Sequence, residues 1–85
     1  MEIVYTDKAI KDIGHWKQVR NLQIHTRISE LISSIELTPF SGIGKPEPLR
    51  YNLNGLWSRR IDKENRIVYE VFSDCVVIHS LKGHY

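Results

Sequence analysis

The chain has 85 residues, of which 41% are hydrophobic and 26% charged, and its formal net charge is +2. This length and composition predict one domain over residues 1–85, which buries roughly 60% of the surface of the unfolded chain. The longest apolar runs are far shorter than the roughly 20 residues of a membrane-spanning helix, and the first residues lack the pattern of a signal peptide. We therefore expect a cytoplasmic protein.

Cysteine and histidine usage argues against a structural metal. Cys75 is the only cysteine, so no disulfide can form within the chain. There is no CxxC pair and no close group of histidines and cysteines. The sequence therefore predicts no metal and no cofactor, and Cys75 is expected to be a small core residue within a strand.

Positive charge is concentrated in the second half of the chain. Residues 1–42 contain five Lys/Arg and five Asp/Glu, whereas residues 45–66 contain six Lys/Arg and three Asp/Glu. A basic stretch of this kind is typical of phosphate binding, although a solvated hairpin rich in lysine and arginine has the same composition. The charge pattern alone leaves both interpretations open.

The N-terminal part has the pattern of a strand followed by two helices. Residues 2–6 alternate and are rich in β-branched and aromatic side chains, which predicts a short strand. Thr6 or Asp7 can cap the first helix and Asn21 the second. Apolar residues recur at three- and four-residue steps in both segments, which predicts an antiparallel helical pair. Asp12 is expected on the exposed side of the first helix.

A proline-rich loop follows the second helix. All three prolines lie between residues 38 and 48, and this excludes regular structure there. Glu47 lies between Pro46 and Pro48, so its backbone is restricted to an extended conformation. A stiff segment of this kind can present a carboxylate in a fixed position, which is what a general base requires.

The remainder of the chain has the pattern of an antiparallel meander. Four strand-length segments occur, at residues 49–53, 56–61, 66–72 and 75–81. Asn54-Gly55 is a hairpin signal in which both central positions are expected to have positive φ. The last two segments are apolar at nearly every position, which places them in the middle of the sheet. The predicted fold is α+β, with the order β-α-α-β-β-β-β and two N-terminal helices packed on one face of an antiparallel sheet.

The polar residues outside the predicted core supply the groups needed to cleave a phosphodiester without a metal. RNA carries its own nucleophile, the 2′-hydroxyl, so an enzyme needs a base, an acid and cations that stabilise the phosphorane. The sequence contains a proline-flanked acid, a C-terminal imidazole and several guanidinium groups.

Four motifs occur together in the second half: KPEPL at 45–49, NLNGLWSRRI at 52–61, RIVY at 66–69 and HY at 84–85. In this combination, and over essentially the whole chain, the sequence resembles the YoeB branch of the RelE/ParE superfamily of bacterial toxins from toxin-antitoxin modules. The resemblance implies a RelE-like fold and a ribosome-dependent mRNA endonuclease whose product is a 2′,3′-cyclic phosphate.

The resemblance also implies binding partners. These are a cognate antitoxin that is YefM-like, acidic and partly disordered, and the 70S ribosome with its mRNA. Operator DNA would be bound through the antitoxin, so that the pair acts as a transcriptional corepressor. Small members of the family form dimers, so a homodimer is a further expectation.

Catalytic roles are carried over from the family residue by residue. By this resemblance Glu47 is the general base, His84 is the general acid, and Arg66 binds the scissile phosphate. Tyr85 is expected to orient the phosphate or the imidazole. Further basic residues are expected to contact phosphates of mRNA or ribosomal RNA: Lys45, Arg50, Arg59 and Arg60.

Two other functions remain open from the sequence. One is a ParE-like toxin that inhibits a protein target by binding and needs no acid-base residues, and the other is a non-catalytic corepressor. The presence of Glu47, Arg66, His84 and Tyr85 favours the endonuclease, although Arg66 could also be an ordinary solvated arginine at the start of a strand. Gly83 stands where relatives often have a bulkier or charged residue, which predicts a looser C-terminal tail.

Overall fold

The computed structural model describes residues 1–83. Its elements follow the predicted order: β1 Glu2–Tyr5, α1 Asp7–Gln18, α2 Leu22–Leu37, β2 Glu47–Pro48, β3 Leu56–Arg60, β4 Arg66–Val71 and β5 Cys75–Ser80. A short 3₁₀ turn, Tyr51–Leu53, lies between β2 and β3. The α+β prediction is therefore confirmed.

Both helices begin at the predicted capping residues. The Thr6 hydroxyl accepts a hydrogen bond from the Ala9 amide at 3.1 Å, and the Asn21 side chain accepts one from the Ile24 amide at 3.2 Å. These bonds satisfy amides that the first turn of a helix leaves without a partner. None of the helices in residues 1–83 combines the length and the apolar character needed to cross a membrane.

The five strands form one sheet in the order β1-β5-β4-β3-β2. β4 and β5 lie in its interior, as their apolar sequences predicted. The sheet is antiparallel from β2 to β5, but β1 pairs with β5 in parallel, so the expectation of a wholly antiparallel sheet is wrong at that edge. No hairpin joins β1 to a neighbour, and its direction is therefore set by tertiary packing rather than by a turn.

The two helices cover one face of the sheet. Tyr69 and Ile78 are fully buried on that face, where they belong to the same core cluster as Leu31 and Trp16 from the helices. Because side chains alternate along a strand, Ser58 and Val68 project from the opposite face, which we call the open face. The core thus lies on one side of the sheet, and the other side is left for polar groups.

The predicted strand at residues 49–53 is wrong. β2 contains only Glu47–Pro48, and the Leu49 amide adds one further bond to the carbonyl of Leu56, at 2.8 Å. Tyr51 then adopts a positive φ of 60°, which ends the extended conformation. Asn54 has φ −58°, so only Gly55, at φ 96°, has the positive value expected for both. These angles correspond to a type II turn.

Candidate active site

Glu47 and Arg66 meet on the open face of the sheet. Glu47 pairs with Ser58 in the register of β2 and β3, and both side chains therefore project from the same face. The Arg66 guanidinium lies 4.0 Å from the Glu47 carboxylate. It also lies 3.5 Å from the Ser58 hydroxyl, to which Nη1 donates. Three strands thus bring an acid, a hydroxyl and a cation together.

The two charged groups differ in their exposure. The Arg66 side chain is only 17% exposed, whereas that of Glu47 is 48% exposed. An ion pair at this distance with one solvated partner contributes little to stability. The carboxylate therefore remains open to a substrate, while the guanidinium is held in one place.

We call residues 81–83 the C-terminal segment. Its first residue, Leu81, is hydrogen-bonded to α1. The Trp16 indole donates to the Leu81 carbonyl at 2.8 Å, and the Leu81 amide donates to the Asp12 carboxylate at 2.9 Å. Asp12 is only 6% exposed, so its predicted outward orientation is wrong. The acid is buried because its carboxylate accepts the buried Leu81 amide as well as bonds from Lys8.

The end of the C-terminal segment is held beside Arg66. The Gly83 amide donates to the Asn65 side chain at 2.9 Å, and the Arg66 amide donates to the Gly83 carbonyl at 3.2 Å. Asn65 is itself fixed by hydrogen bonds to the Asp62 carboxylate. Gly83 has φ 86°, a conformation that favours glycine. The backbone at Gly83 is therefore held, although a looser tail was expected there. His84 and Tyr85 lie outside the described residues.

Arg59 does not have the position predicted for a phosphate ligand. Its side chain is fully buried on the helix-covered side of the sheet, and all five N–H groups donate to protein acceptors. The acceptors are the hydroxyls of Ser34 and Tyr69 and the carbonyls of Thr38, Ser41 and Ile43. Because no donor is left for a phosphate, the expected phosphate contact of Arg59 is contradicted by the geometry.

Tyr69 receives one of the bonds from Arg59. The phenol accepts from Nε of Arg59 at 3.0 Å and donates to the Pro39 carbonyl at 2.8 Å. Burial raises the pKa of the Tyr69 hydroxyl, and the hydrogen bond and positive charge of Arg59 offset part of that increase. The phenol is therefore part of the fold rather than of the open face.

The three other predicted phosphate ligands are exposed. Arg60 lies directly opposite Arg66 in the register of β3 and β4, so both guanidinium groups are on the open face. Arg50 follows β2 and lines the same open cavity as Glu47. Lys45 is exposed just before β2. The phosphate contacts expected of these three residues stay predictions.

A family model for the YoeB-like toxin of bacterial type II toxin-antitoxin systems matches residues 5–85. The chain belongs to the YoeB-like toxin family. The toxin YoeB of Escherichia coli (strain K12) is 41% identical over 85 residues, which is 100% of both chains. The family assigned from the sequence motifs is thereby confirmed.

Solved structures of similar proteins agree with this assignment. A YoeB/ParE toxin from Agrobacterium tumefaciens superimposes with a TM-score of 0.92 at 36% identity and covers 100% of both chains. YoeB from Staphylococcus aureus, solved as a heterotetrameric YoeB-YefM complex, has a TM-score of 0.86 at 38% identity, with 100% and 98% coverage. YoeB of the same organism has also been solved as a dimer, with a TM-score of 0.88 at 38% identity and the same coverage.

Two residues of the site in this YoeB-like toxin were missed by sequence reasoning. Ser58 was read only as part of a motif, and Asn65 only as part of a turn. The alternation of β3 was the signal available for Ser58, because it places this residue on the face opposite Trp57 and Arg59. No local signal reveals Asn65, since its partner Gly83 is 18 residues away. Within residues 1–83, no group of three or more His, Cys, Asp or Glu is arranged to hold a metal ion.

Proposed function

We propose that this YoeB-like toxin is a ribosome-dependent mRNA endonuclease that cleaves by acid-base chemistry with the 2′-hydroxyl of RNA as nucleophile. The observation that supports this most directly is that the Arg66 guanidinium lies beside the Glu47 carboxylate on the open face, while the Arg66 amide donates to the Gly83 carbonyl. Gly83 immediately precedes His84 in the sequence. The imidazole is therefore proposed to act within one residue of a fixed point beside Arg66.

Each group has a role in this mechanism. Glu47 takes the proton from the 2′-hydroxyl, and His84 protonates the departing 5′-oxygen. Arg66 stabilises the charge that develops on the phosphorane, a task suited to a guanidinium held in one position. Tyr85 orients the phosphate or the imidazole. The product is a 2′,3′-cyclic phosphate and a 5′-hydroxyl.

The exposed basic residues Lys45, Arg50 and Arg60 are proposed to contact the phosphates of mRNA or ribosomal RNA. Their exposure leaves their donors accessible, in contrast to those of Arg59. Contacts to phosphate fix position and orientation rather than base identity. The message would reach the site in the cytoplasm, bound in the 70S ribosome.

The proposed protein partner is an acidic, partly disordered antitoxin similar to YefM. The Staphylococcus aureus relative forms a heterotetrameric YoeB-YefM complex and has also been solved as a dimer. We propose a corresponding antitoxin complex and a homodimer for this chain. Operator DNA would be bound through the antitoxin, with the toxin as corepressor.

The test maps mRNA 5′-ends in cells and on purified ribosomes after induction of the toxin. Glu47→Ala and His84→Gln are each expected to lower the cleavage rate about 10²- to 10⁴-fold, because each removes a positioned acid or base. Glu64→Ala is the matched control, since Glu64 is an exposed acid in the turn between β3 and β4. Undiminished cleavage in both catalytic variants would refute the assigned roles. Toxicity without any cleavage by the wild type would favour a ParE-like action on a protein target.

A further inference from the structure

An open cavity lies beside the Glu47 carboxylate. Its volume is about 390 Å³, and it is lined by the continuous segment from Glu47 to Leu53. The proposed reaction uses Glu47, and Arg50 is proposed to contact phosphate, but Tyr51 has not been given a role.

Tyr51 in this segment has two features that do not favour folding. Its φ of 60° lies in the left-handed region, which is unfavourable for a bulky residue with a Cβ. Tyr51 is also 91% exposed, so burial of its aromatic ring does not compensate for the unfavourable backbone conformation. Outliers of this kind are found where the strained conformation serves a ligand.

The backbone that carries Tyr51 is held on both sides. Leu49 is buried and its amide donates to the Leu56 carbonyl at 2.8 Å. After Tyr51, the Asn54 amide donates to the Tyr51 carbonyl at 3.0 Å, and the Leu53 amide donates to the Arg50 carbonyl at 3.1 Å. The ring is therefore presented from a fixed turn rather than from a loose loop.

We propose that Tyr51 is a stacking platform for a nucleobase of the mRNA next to the scissile phosphate. Single-stranded bases are bound by aromatic side chains that offer a free face, and stacking tolerates any base. The exposed guanidinium of the preceding Arg50 supplies a cation for the phosphate that follows that base. This inference rests on the proposed function and adds a binding subsite to it.

The decisive variant is Tyr51→Asn. Asparagine tolerates a positive φ but cannot stack on a base, so the melting temperature is expected to stay equal or to rise while kcat/KM for ribosome-bound mRNA falls about 5- to 150-fold. Tyr51→Phe keeps the ring and is expected to retain the wild-type kcat/KM. Leu22→Asn is the matched control, because Leu22 is 79% exposed at the start of α2 and outside this cavity.

A second readout detects stacking without cleavage. The wild type and Tyr51→Asn are bound to ribosomes carrying an mRNA with a 2′-O-methyl group at the cut site and 2-aminopurine beside it. Quenching of the 2-aminopurine fluorescence by the wild type, but not by the variant, is the expected result. Quenching that depends on Tyr51, together with no cleavage of unmodified mRNA by the wild type, would support the stacking subsite and contradict the proposed reaction.

Three outcomes would overturn the subsite. One is a Tyr51→Asn variant with wild-type kcat/KM and wild-type quenching. Another is a variant with a lowered melting temperature, which would make Tyr51 a structural residue. The last is a variant that keeps its RNA kinetics but binds the antitoxin less tightly, because the ring would then be a protein contact.

Discussion

Arg59 orders the loop that leads to Glu47. Its guanidinium donates to the carbonyls of Thr38, Ser41 and Ile43, all of which precede β2. Thr38 and Ser41 also bond to each other within the loop, and the guanidinium adds the bonds that tie these carbonyls to β3. A guanidinium suits this task because it presents five donors in one plane. The residue thereby supports the position of Glu47, the proposed base.

Arg59→Met is expected to destabilise the fold by about 3 kcal/mol or more, because it removes five hydrogen bonds of a fully buried guanidinium, including the one to the buried Tyr69 hydroxyl. Urea unfolding of the purified protein measures this. Arg60→Met is the matched control, since Arg60 is exposed, and a change within about 0.5 kcal/mol is expected there. A stable Arg59→Met protein that has lost only RNA cleavage would restore the phosphate role for this residue.

The buried phenols make stability sensitive to high pH. Burial raises the pKa of Tyr69 and of Tyr5 from 10.0, and the charge of Glu36 adds to the increase at Tyr5. The unfolded phenols lose their protons at a lower pH than the folded ones, so unfolding releases protons above pH 10. The stabilisation is complete below that pH and is lost as the pH rises through the folded pKa.

The free energy of unfolding is therefore expected to fall between pH 9 and about 11. Urea unfolding at a series of pH values measures the slope for the wild type, Tyr69→Phe and the double variant with Tyr5→Phe. The slope should decrease stepwise as the phenols are removed, whatever the absolute stability of each variant. An unchanged slope in the double variant would assign the alkaline sensitivity to other groups.

At the scale of elements, the turn between β3 and β4 holds the backbone at Gly83. Asp62 fixes Asn65, and Asn65 accepts the amide of Gly83. α1 holds Leu81 through Trp16 from the other side of the segment. Two elements that are far apart in sequence thus direct the chain to the side of Arg66.

Asn65→Leu removes the acceptor for Gly83 while keeping the same number of side-chain heavy atoms and the same branching at Cγ. Hydrogen exchange of the Gly83 amide is expected to accelerate about 2- to 10-fold, which corresponds to the net free energy that one hydrogen bond contributes to stability. Cleavage should also slow, but not in a His84→Gln background, because the contact acts through the residue that follows Gly83. Asn54→Leu, at the exposed β2–β3 turn, serves as the control. Additive losses in the double variant would show that Asn65 acts independently of His84.

At the scale of the whole molecule, the two ends of the chain lie in different surroundings. β1 forms one edge of the sheet, while β2, which carries Glu47, forms the other. The C-terminal segment runs back to the beginning of β4, where the Gly83 carbonyl accepts from the Arg66 amide. Gly83 is therefore close to Arg66, whereas β1 lies at the opposite edge of the sheet from Glu47.

Residues added after Tyr85 are expected to lower mRNA cleavage at least about 100-fold. They would occupy the space of the scissile phosphate and displace the proposed general acid His84, and a positioned acid raises the rate by at least about that factor. The same extension placed before Met1 should leave cleavage unchanged. Growth arrest and mRNA end mapping compare the two fusions, with equal expression verified. A C-terminal fusion as active as the N-terminal one would contradict the proposed location of the tail.

The sequence alone determined the order of elements, the helix starts at Thr6 and Asn21 and the family. These depend on local signals, namely capping side chains, periodicity and short motifs, which a single segment carries by itself. The short β2 and the turn at Tyr51 could not be foreseen, because residues 49–53 have an acceptable strand composition.

Only the tertiary structure decided which polar residues face the core and which face the open side. Arg59 and Arg66 are both arginines on strands, yet the pairing of β3 with β4 and the position of α2 place one in the core and the other beside Glu47. Asp12 was misplaced for the same reason, since its partner Leu81 is 69 residues away. Contacts between residues so distant in the chain leave no pattern in the sequence, because the geometry that joins them exists only after folding.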